Sequence, residues 1–420
     1  MTALSMPWRL AIGSCVVLLL SAVCFPVRAA DTRAAAACSL SSEGLRTLDS
    51  KIAANASNDV YPGAVYMISR HGKRVHAEAV GLSNVDSKRP MREDAIFRLA
   101  SMSKPITAAA IMMLVDDGKI RLDDPISRYI PEFARMRVGP YAPGKPEAEL
   151  AALPYAAHPI TIWNLLTHTS GMEADIAVDK ELTTKLSQRT TLAAWMPYYA
   201  HFPLAWQPGA RFSYSALMGF EVLGRIVEVV SGQPYDKFLS KRMFEPLGMK
   251  DTTFRLSDEQ ATRLVAIYAA SDGKLTPAEA SFASDTYFSG AGGLFGTAPD
   301  YLKFADMLAG HGAGGGVRIL SRKSVDLMGS MQLPPTFPGL GPGNGWGLGM
   351  RHATAGAIIP PGSYGWSGAF GTHFWVDPRH QLEAVFMINL SNAQGAAAPT
   401  SREYERLVYG AFPPDCSDGR

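Results

Sequence analysis

Stretches rich in β-branched and aromatic residues flank His71-Gly72 in "YPGAVYMISRHGKRVHAEAVG" (61–81), which predicts two strands joined by a tight turn. A second hairpin is expected around Asp377-Pro378 in "THFWVDPRHQLEAVFMIN". Between the two hairpins helical spacing takes over. "PITAAAIMMLVDDGKI" is apolar along most of its length and stops at Gly118, and "MGFEVLGRIVEVVSG" carries hydrophobic residues at helical intervals up to Gly232. "SREYERLVYGAF" predicts a terminal helix packing back on the sheet, "VGPYAPGKPEAELAALPYAAHP" is a Pro/Ala-rich excursion, and "GHGAGGG" and "LPPTFPGLGPGNG" read as loops. Strands at both ends and helices in the middle suggest a discontinuous sheet domain, 38–125 with 285–416, interrupted by a mostly helical domain, 126–284. No internal repeat is evident.

The chain has 420 residues, 47% of them hydrophobic, enough for a large core. The N-terminal stretch has an apolar run from Leu10 to Val23 and small residues near Ala29, the pattern of a secretory signal peptide cleaved after Ala29. The run falls short of the roughly 20 residues that a membrane span requires. Periplasmic or secreted localisation follows as the expectation, with no stable span after cleavage. Cleavage removes Arg9 and Arg28 and no acids, which leaves the 38 acidic residues balanced by as many basic ones. That balance, without a basic tract, offers nothing to nucleic acid. Of the four cysteines, Cys38 and Cys416 survive cleavage, and an oxidising compartment would let them pair.

The candidate chemistry lies in "FRLASMSKPITA" (97–108). If a helix begins at Ser101 with Pro105 in its first turn, Ser101 and Lys104 share one face and can touch. A serine needs a base to become a nucleophile, and a lysine desolvated between apolar walls can serve as that base. The helix start adds backbone N–H groups that favour negative charge at Ser101. The same spacing recurs at Ser271 and Lys274, but across a polar Asp-Gly turn with no helix behind it, and there it reads as a hairpin tip. Zinc-type His-Glu-x-x-His and nucleophile-elbow Gly-x-Ser-x-Gly patterns are missing. The nearest elbow-like stretch, "GWSGA" at 365–369, precedes a strand instead of a helix. His168, in "LLTHTSGM", reads as a residue that holds a loop.

Across about residues 45–410 the chain resembles the serine hydrolase family that includes class C β-lactamases, penicillin-binding peptidases and family VIII carboxylesterases. The segments that carry the resemblance are "IFRLASMSKPITAAAIMMLVDDGKIRLDDPISRYIPEF", "ITIWNLLTHTSGM", "PGARFSYSALMGFEVLGRIVEVVSGQPY", "EPLGMKDTTF", "AGGLFGTAPDYLKFADML" and "GWSGAFGTHFWVDP", in that order. It implies an α+β, β-lactamase/transpeptidase-like fold: an antiparallel sheet flanked by helices, a mostly helical domain, and a site in the crevice between them. It also implies Ser101 as nucleophile, Lys104 as the lysine of its motif, and Tyr214 as a partner in proton transfer, with no metal or organic cofactor. A phenol has a pKa of about 10 in water, so Tyr214 and Lys104 are expected to act as one acid–base unit.

Two departures from the β-lactamase pattern shape the functional expectation. Where those enzymes usually have Tyr-x-Asn, this chain has Tyr214-Ser215-Ala216, and none of its fifteen tyrosines is followed two places later by asparagine. Where they have Lys-Thr-Gly, it has Trp366-Ser367-Gly368, losing a charge-assisted bond to a carboxylate that contributes roughly 1.5 to 3 kcal/mol. Trp366 would instead offer a flat apolar wall to an uncharged acyl or alcohol group. Gly368 would permit close approach, letting the Ala369 N–H join that of Ser101 as oxyanion donors. The reading is a serine hydrolase acting on a small-molecule ester through an acyl-enzyme. The rivals are amide, β-lactam or D-amino-acid peptide hydrolysis, acyl transfer, and a non-catalytic cell-wall-binding domain.

Overall fold

The eight-stranded antiparallel sheet of this protein is assembled from both ends of the chain. The computed structural model describes residues 39–140, 147–172, 191–271, 273–279, 286–391, 399–413 and 416. The expected signal peptide and Cys38 lie outside the described residues. In chain order the sheet strands are β1 (Gly63–Arg70), β2 (Lys73–Asn84), β3 (Arg89–Pro90), β4 (Asn344–Trp346), β5 (Arg351–Ala353), β6 (Tyr364–Ser367), β7 (Thr372–Asp377) and β8 (Leu382–Ile388). Their spatial order is β4-β5-β6-β7-β8-β1-β2-β3, so the N-terminal hairpin joins the C-terminal meander through the β1–β8 pair, with Tyr66 opposite Phe386. Both hairpins turn where expected, and His71 and Gly72 take positive φ in the first.

Side-chain alternation assigns the two faces. On β1, Ala64, Tyr66 and Ile68 enter one core with Leu48 and Ile52, whereas Val65 and Met67 enter the other. The first core lies under helices α1 (Ser42–Ser57) and α5 (Pro399–Gly410). Asn55 Nδ2 donates to Glu403 Oε2 at 2.7 Å and Ser41 N–H to Ala411 O at 2.8 Å, tying the two helices together. The second core holds α2 (Ser103–Asp116), α3 (Met218–Ser231) and α4 (Ala298–Ala309). Every residue of α2 from Ser103 to Leu114 is buried, which explains why its sequence is apolar all round and lacks a polar stripe. Fully burying each Leu, Ile or Met there stabilises the fold by about 1.5 to 3 kcal/mol.

The described residues from Leu40 onward belong to one compact unit. "GHGAGGG" is not loop throughout: its Ala313–Gly314 forms a short strand paired with Val317–Arg318, which follow it. No helix among the described residues is long and apolar enough to cross a membrane.

Candidate active site

Ser101 stands in a single 3-10 turn, Ala100–Met102, that runs directly into α2. The α-helix proper therefore begins two residues later than the spacing suggested, and the tighter turn carries the serine. A two-residue antiparallel pair, Phe97–Arg98 with Phe295–Gly296, leads into it, and Leu99 N–H continues the pairing to Leu294 O at 2.9 Å. Ala100 takes φ +47°, a left-handed conformation that costs a non-glycine residue roughly 1 to 2 kcal/mol. Neighbours on both sides hold the bend. Thr372 Oγ1 donates to Leu99 O at 3.1 Å, and Tyr301 Oη, from α4, donates to Met102 O at 2.8 Å.

Lys104 is wholly buried. Its Nζ donates to Ser101 Oγ at 3.2 Å, Ala216 O at 2.8 Å and Ala291 O at 3.0 Å, and lies 5.0 Å from the centre of the Tyr214 ring and 5.7 Å from that of Phe220. The two carbonyls can only accept, so two of the nitrogen's positions must carry protons. Its remaining position faces Ser101. In the neutral amine that position is the lone pair, where a general base needs it; in the ammonium it is a third donor, and every N–H is satisfied.

Tyr214 adjoins this pair differently from the expectation. Among the described residues its hydroxyl makes no hydrogen bond to Lys104 or Ser101; its oxygen accepts the Nε1–H of Trp366 at 3.1 Å, with the two rings 5.1 Å apart. Lys104 meets the face of the phenol, an arrangement that attracts the nitrogen whenever it is an ammonium. Trp366 belongs to β6, inside the sheet between β5 and β7 and not at its edge. Trp346 crosses it edge-on at 4.7 Å, so one wall of the site is aromatic.

His168 holds this wall from below. Its Nδ1 accepts the Ser215 N–H at 3.1 Å, its carbonyl accepts the Ser213 N–H at 2.9 Å, and its ring lies 4.7 Å from that of Tyr214. Burial, and then the charge on Lys104, push its pKa well below the ordinary histidine value, so the ring is neutral. It fixes the segment that carries Tyr214 and Ala216.

Gly368 lies where only glycine fits. A Cβ there would come within 2.2 Å of Thr372 Oγ1 and 2.3 Å of Leu99 O, so the β6–β7 turn presses against the backbone just before Ser101. Gly371 N–H closes that turn on Gly368 O at 3.1 Å. This makes Ala369 its first central residue, whose N–H points out of the ring that such a turn closes. Ala369 is exposed and Ser101 half-buried, so both face accessible space.

Sequence reasoning missed the two carbonyls that hold Lys104. The loss of asparagine at 216 removes a side-chain handle, yet the backbone of Ala216 still anchors the lysine. No side-chain signal could have marked Ala291. A second serine also turns out to have partners: Ser367 Oγ meets His373 Nδ1 at 2.7 Å, and His373 Nε2 lies 3.3 Å from Glu405 Oε1. That chain is buried throughout, with Ser367 3% and His373 1% exposed. Among the described residues no group of three or more His, Cys, Asp or Glu could hold a metal ion.

Comparison with known protein families matches residues 48–407 to the one described as Beta-lactamase. The chain belongs to the Beta-lactamase family. Its fold is the β-lactamase/transpeptidase-like one. A mycobacterial relative, protein Rv1367c of Mycobacterium tuberculosis, is 34% identical over 350 residues, covering 78% of this chain and 85% of that protein. Esterase EstB of Burkholderia gladioli is 29% identical over 383 residues, covering 83% and 90%. Among solved structures, EstCE1, described as a hydrolase with promiscuous acyltransferase activity, superimposes with a TM-score of 0.74 over 88% of this chain and 98% of its own, at 24% identity.

Proposed function

We propose that this protein is a serine hydrolase that cleaves carboxylic esters through an acyl-enzyme on Ser101. The observation that carries the reading is the Lys104 nitrogen, buried, held by two carbonyls and facing Ser101 Oγ with its remaining position. The hydroxyl attacks the ester carbonyl as Lys104 takes its proton. The lysine becomes an ammonium whose three N–H groups already have acceptors, so charging it requires no rearrangement. The Ser101 and Ala369 N–H groups receive the oxyanion. Lys104, with Tyr214 alongside, returns the proton to the leaving alcohol, and water activated by the same pair releases the acid.

Preference for an ester over a β-lactam is supported by what surrounds the serine. Trp366 stands where a cation would meet a carboxylate, Ala216 offers no side-chain amide, and the related EstB is an esterase. Short-chain p-nitrophenyl esters, a D-amino-acid peptide and a chromogenic cephalosporin, given to wild type and Ser101→Ala, test the reading. The ester is expected to turn over fastest and to lose turnover in the variant, whose thermal unfolding stays unchanged. Equal ester turnover by Ser101→Ala would refute the assignment.

Export to the periplasm or medium belongs to the same reading, on the strength of the N-terminal pattern, and N-terminal sequencing of the purified protein tests it. So does a Cys38–Cys416 disulfide. The described residues near these cysteines, Ser41 and Ala411, lie backbone to backbone, and non-reducing peptide mapping decides the pairing.

A further inference from the structure

Helix α3 carries a buried glutamate, Glu221, in its first turn, and the mechanism above makes no use of it. Glu221 is wholly buried, as is Lys104 on the neighbouring α2. Its Oε1 accepts the Ser289 hydroxyl at 2.5 Å and its Oε2 the Gly290 N–H at 3.0 Å. Ser289 Oγ in turn accepts the Gly292 N–H at 3.1 Å, and Thr107 Oγ1, from α2, donates to Gly290 O at 2.6 Å. A Cβ at Gly290 would fall 2.5 Å from Phe220 O, so glycine alone lets this segment lie so tightly on α3. The backbone of 289–292 is thus folded around the carboxylate. The next carbonyl along, Ala291 O, is the one that accepts from Lys104 Nζ at 3.0 Å.

We propose that Glu221 is a positioning residue for the reaction at Ser101: its carboxylate shapes the 289–292 segment so that Ala291 O holds the Lys104 nitrogen on the serine. This rests on the reading of Lys104 as the base. The electrostatics run the same way: Gly292 N–H, which shares a peptide group with the Ala291 carbonyl, donates to Ser289 Oγ, and Ser289 donates to the carboxylate, so this chain polarises the Ala291 carbonyl toward the lysine. A neutral glutamine has a single acceptor oxygen and two protons to place, so it cannot accept from both the Ser289 hydroxyl and the Gly290 N–H through its two terminal atoms.

Two variants of the full chain, Glu221→Gln and Ser289→Ala, test the inference by ester kinetics and by the rate at which a fluorophosphonate labels Ser101. Glu221→Gln is expected to lower kcat and the labelling rate together by about tenfold to a hundredfold, with KM within about twofold of wild type. Ser289→Ala, which keeps the carboxylate and the Gly290 contact, should fall between that variant and wild type. A folded Glu221→Gln with wild-type kcat and labelling overturns the proposal, as does a loss confined to KM. Should Glu221→Gln fail to fold, Ser289→Ala decides alone, and an unchanged labelling rate counts against the proposal. Labelling needs no knowledge of the substrate. A wild type that labels but cleaves no ester would therefore sink the esterase reading and leave this one still measurable.

Discussion

Among the described residues, Ser101 and Ser367 both have a partner of the kind a nucleophile needs, and Ser101 is the one of the two placed to react. Ser367 hydrogen-bonds His373, whose Nε2 lies 3.3 Å from Glu405 Oε1 without forming a hydrogen bond; these are the residue types of a hydrolase triad, but all three are buried and join β6, β7 and α5. Ser101 has a lysine and no histidine, yet it is half-buried on a strained turn, with the β6–β7 turn pressed against its approach. A base within reach is therefore not sufficient for chemistry. The hydroxyl must also face space that a substrate can enter, with N–H donors beside it. The arrangement at Ser367 ties the sheet to α5, and Arg351 Nη2, at 2.9 Å from Glu405 Oε1, completes it.

Lys104→Met should break the comparison most severely, lowering kcat/KM by about a hundredfold to ten-thousandfold on the ester that wild type prefers. Trp366→Phe keeps the aromatic wall and removes the N–H that meets Tyr214 Oη. A loss of about tenfold in kcat is expected, the equivalent of one neutral hydrogen bond, and steady-state kinetics will show it. Ser367→Ala sharpens the contrast from the other side. Its kcat/KM should stay within about twofold of wild type. Its stability in urea should fall by about 1 to 3 kcal/mol, because a buried His373 nitrogen loses its partner.

Two buried carboxylates give the smallest effects, with opposite signs. At Glu405 burial raises the pKa, but His373 and Arg351 outweigh it and hold it below the usual range. Its contribution is full above the unfolded value of about 4.3 and is lost as pH falls through the depressed one. At Glu383 burial, and then the neighbouring Asp306, push the carboxyl up to about 8. Its contribution is full below about 4.3 and is lost as pH rises through about 8. Urea midpoints measured from pH 5 to 9 should therefore decline more steeply for wild type than for Glu383→Gln, which keeps a hydrogen-bonding side chain without the titration.

Much of this was legible in the chain. The hairpin turns at His71-Gly72 and after Asp377 were marked by local residue types, and helix α3 ended at the Gly232 that its spacing indicated. Ser101, Lys104, Tyr214, Trp366, Gly368 and Ala369 do converge, although Tyr214 reaches Trp366 instead of hydrogen-bonding the lysine. The left-handed Ala100 had no marker, since nothing in an alanine announces positive φ. Glu221 did have one. A glutamate set among apolar residues of a helix is either exposed or paired, and which of these holds depends on a segment about seventy residues away in the chain.

The sequence by itself determined where most strands and helices lie, which serines stood three residues before a lysine, and which β-lactam handles were missing. These are properties of neighbours along the chain. The tertiary structure decided which serine could be reached, which carbonyls hold Lys104, and what the buried carboxylates do. Those properties depend on solvent exclusion and on backbone groups that every residue shares, so no residue letter records them.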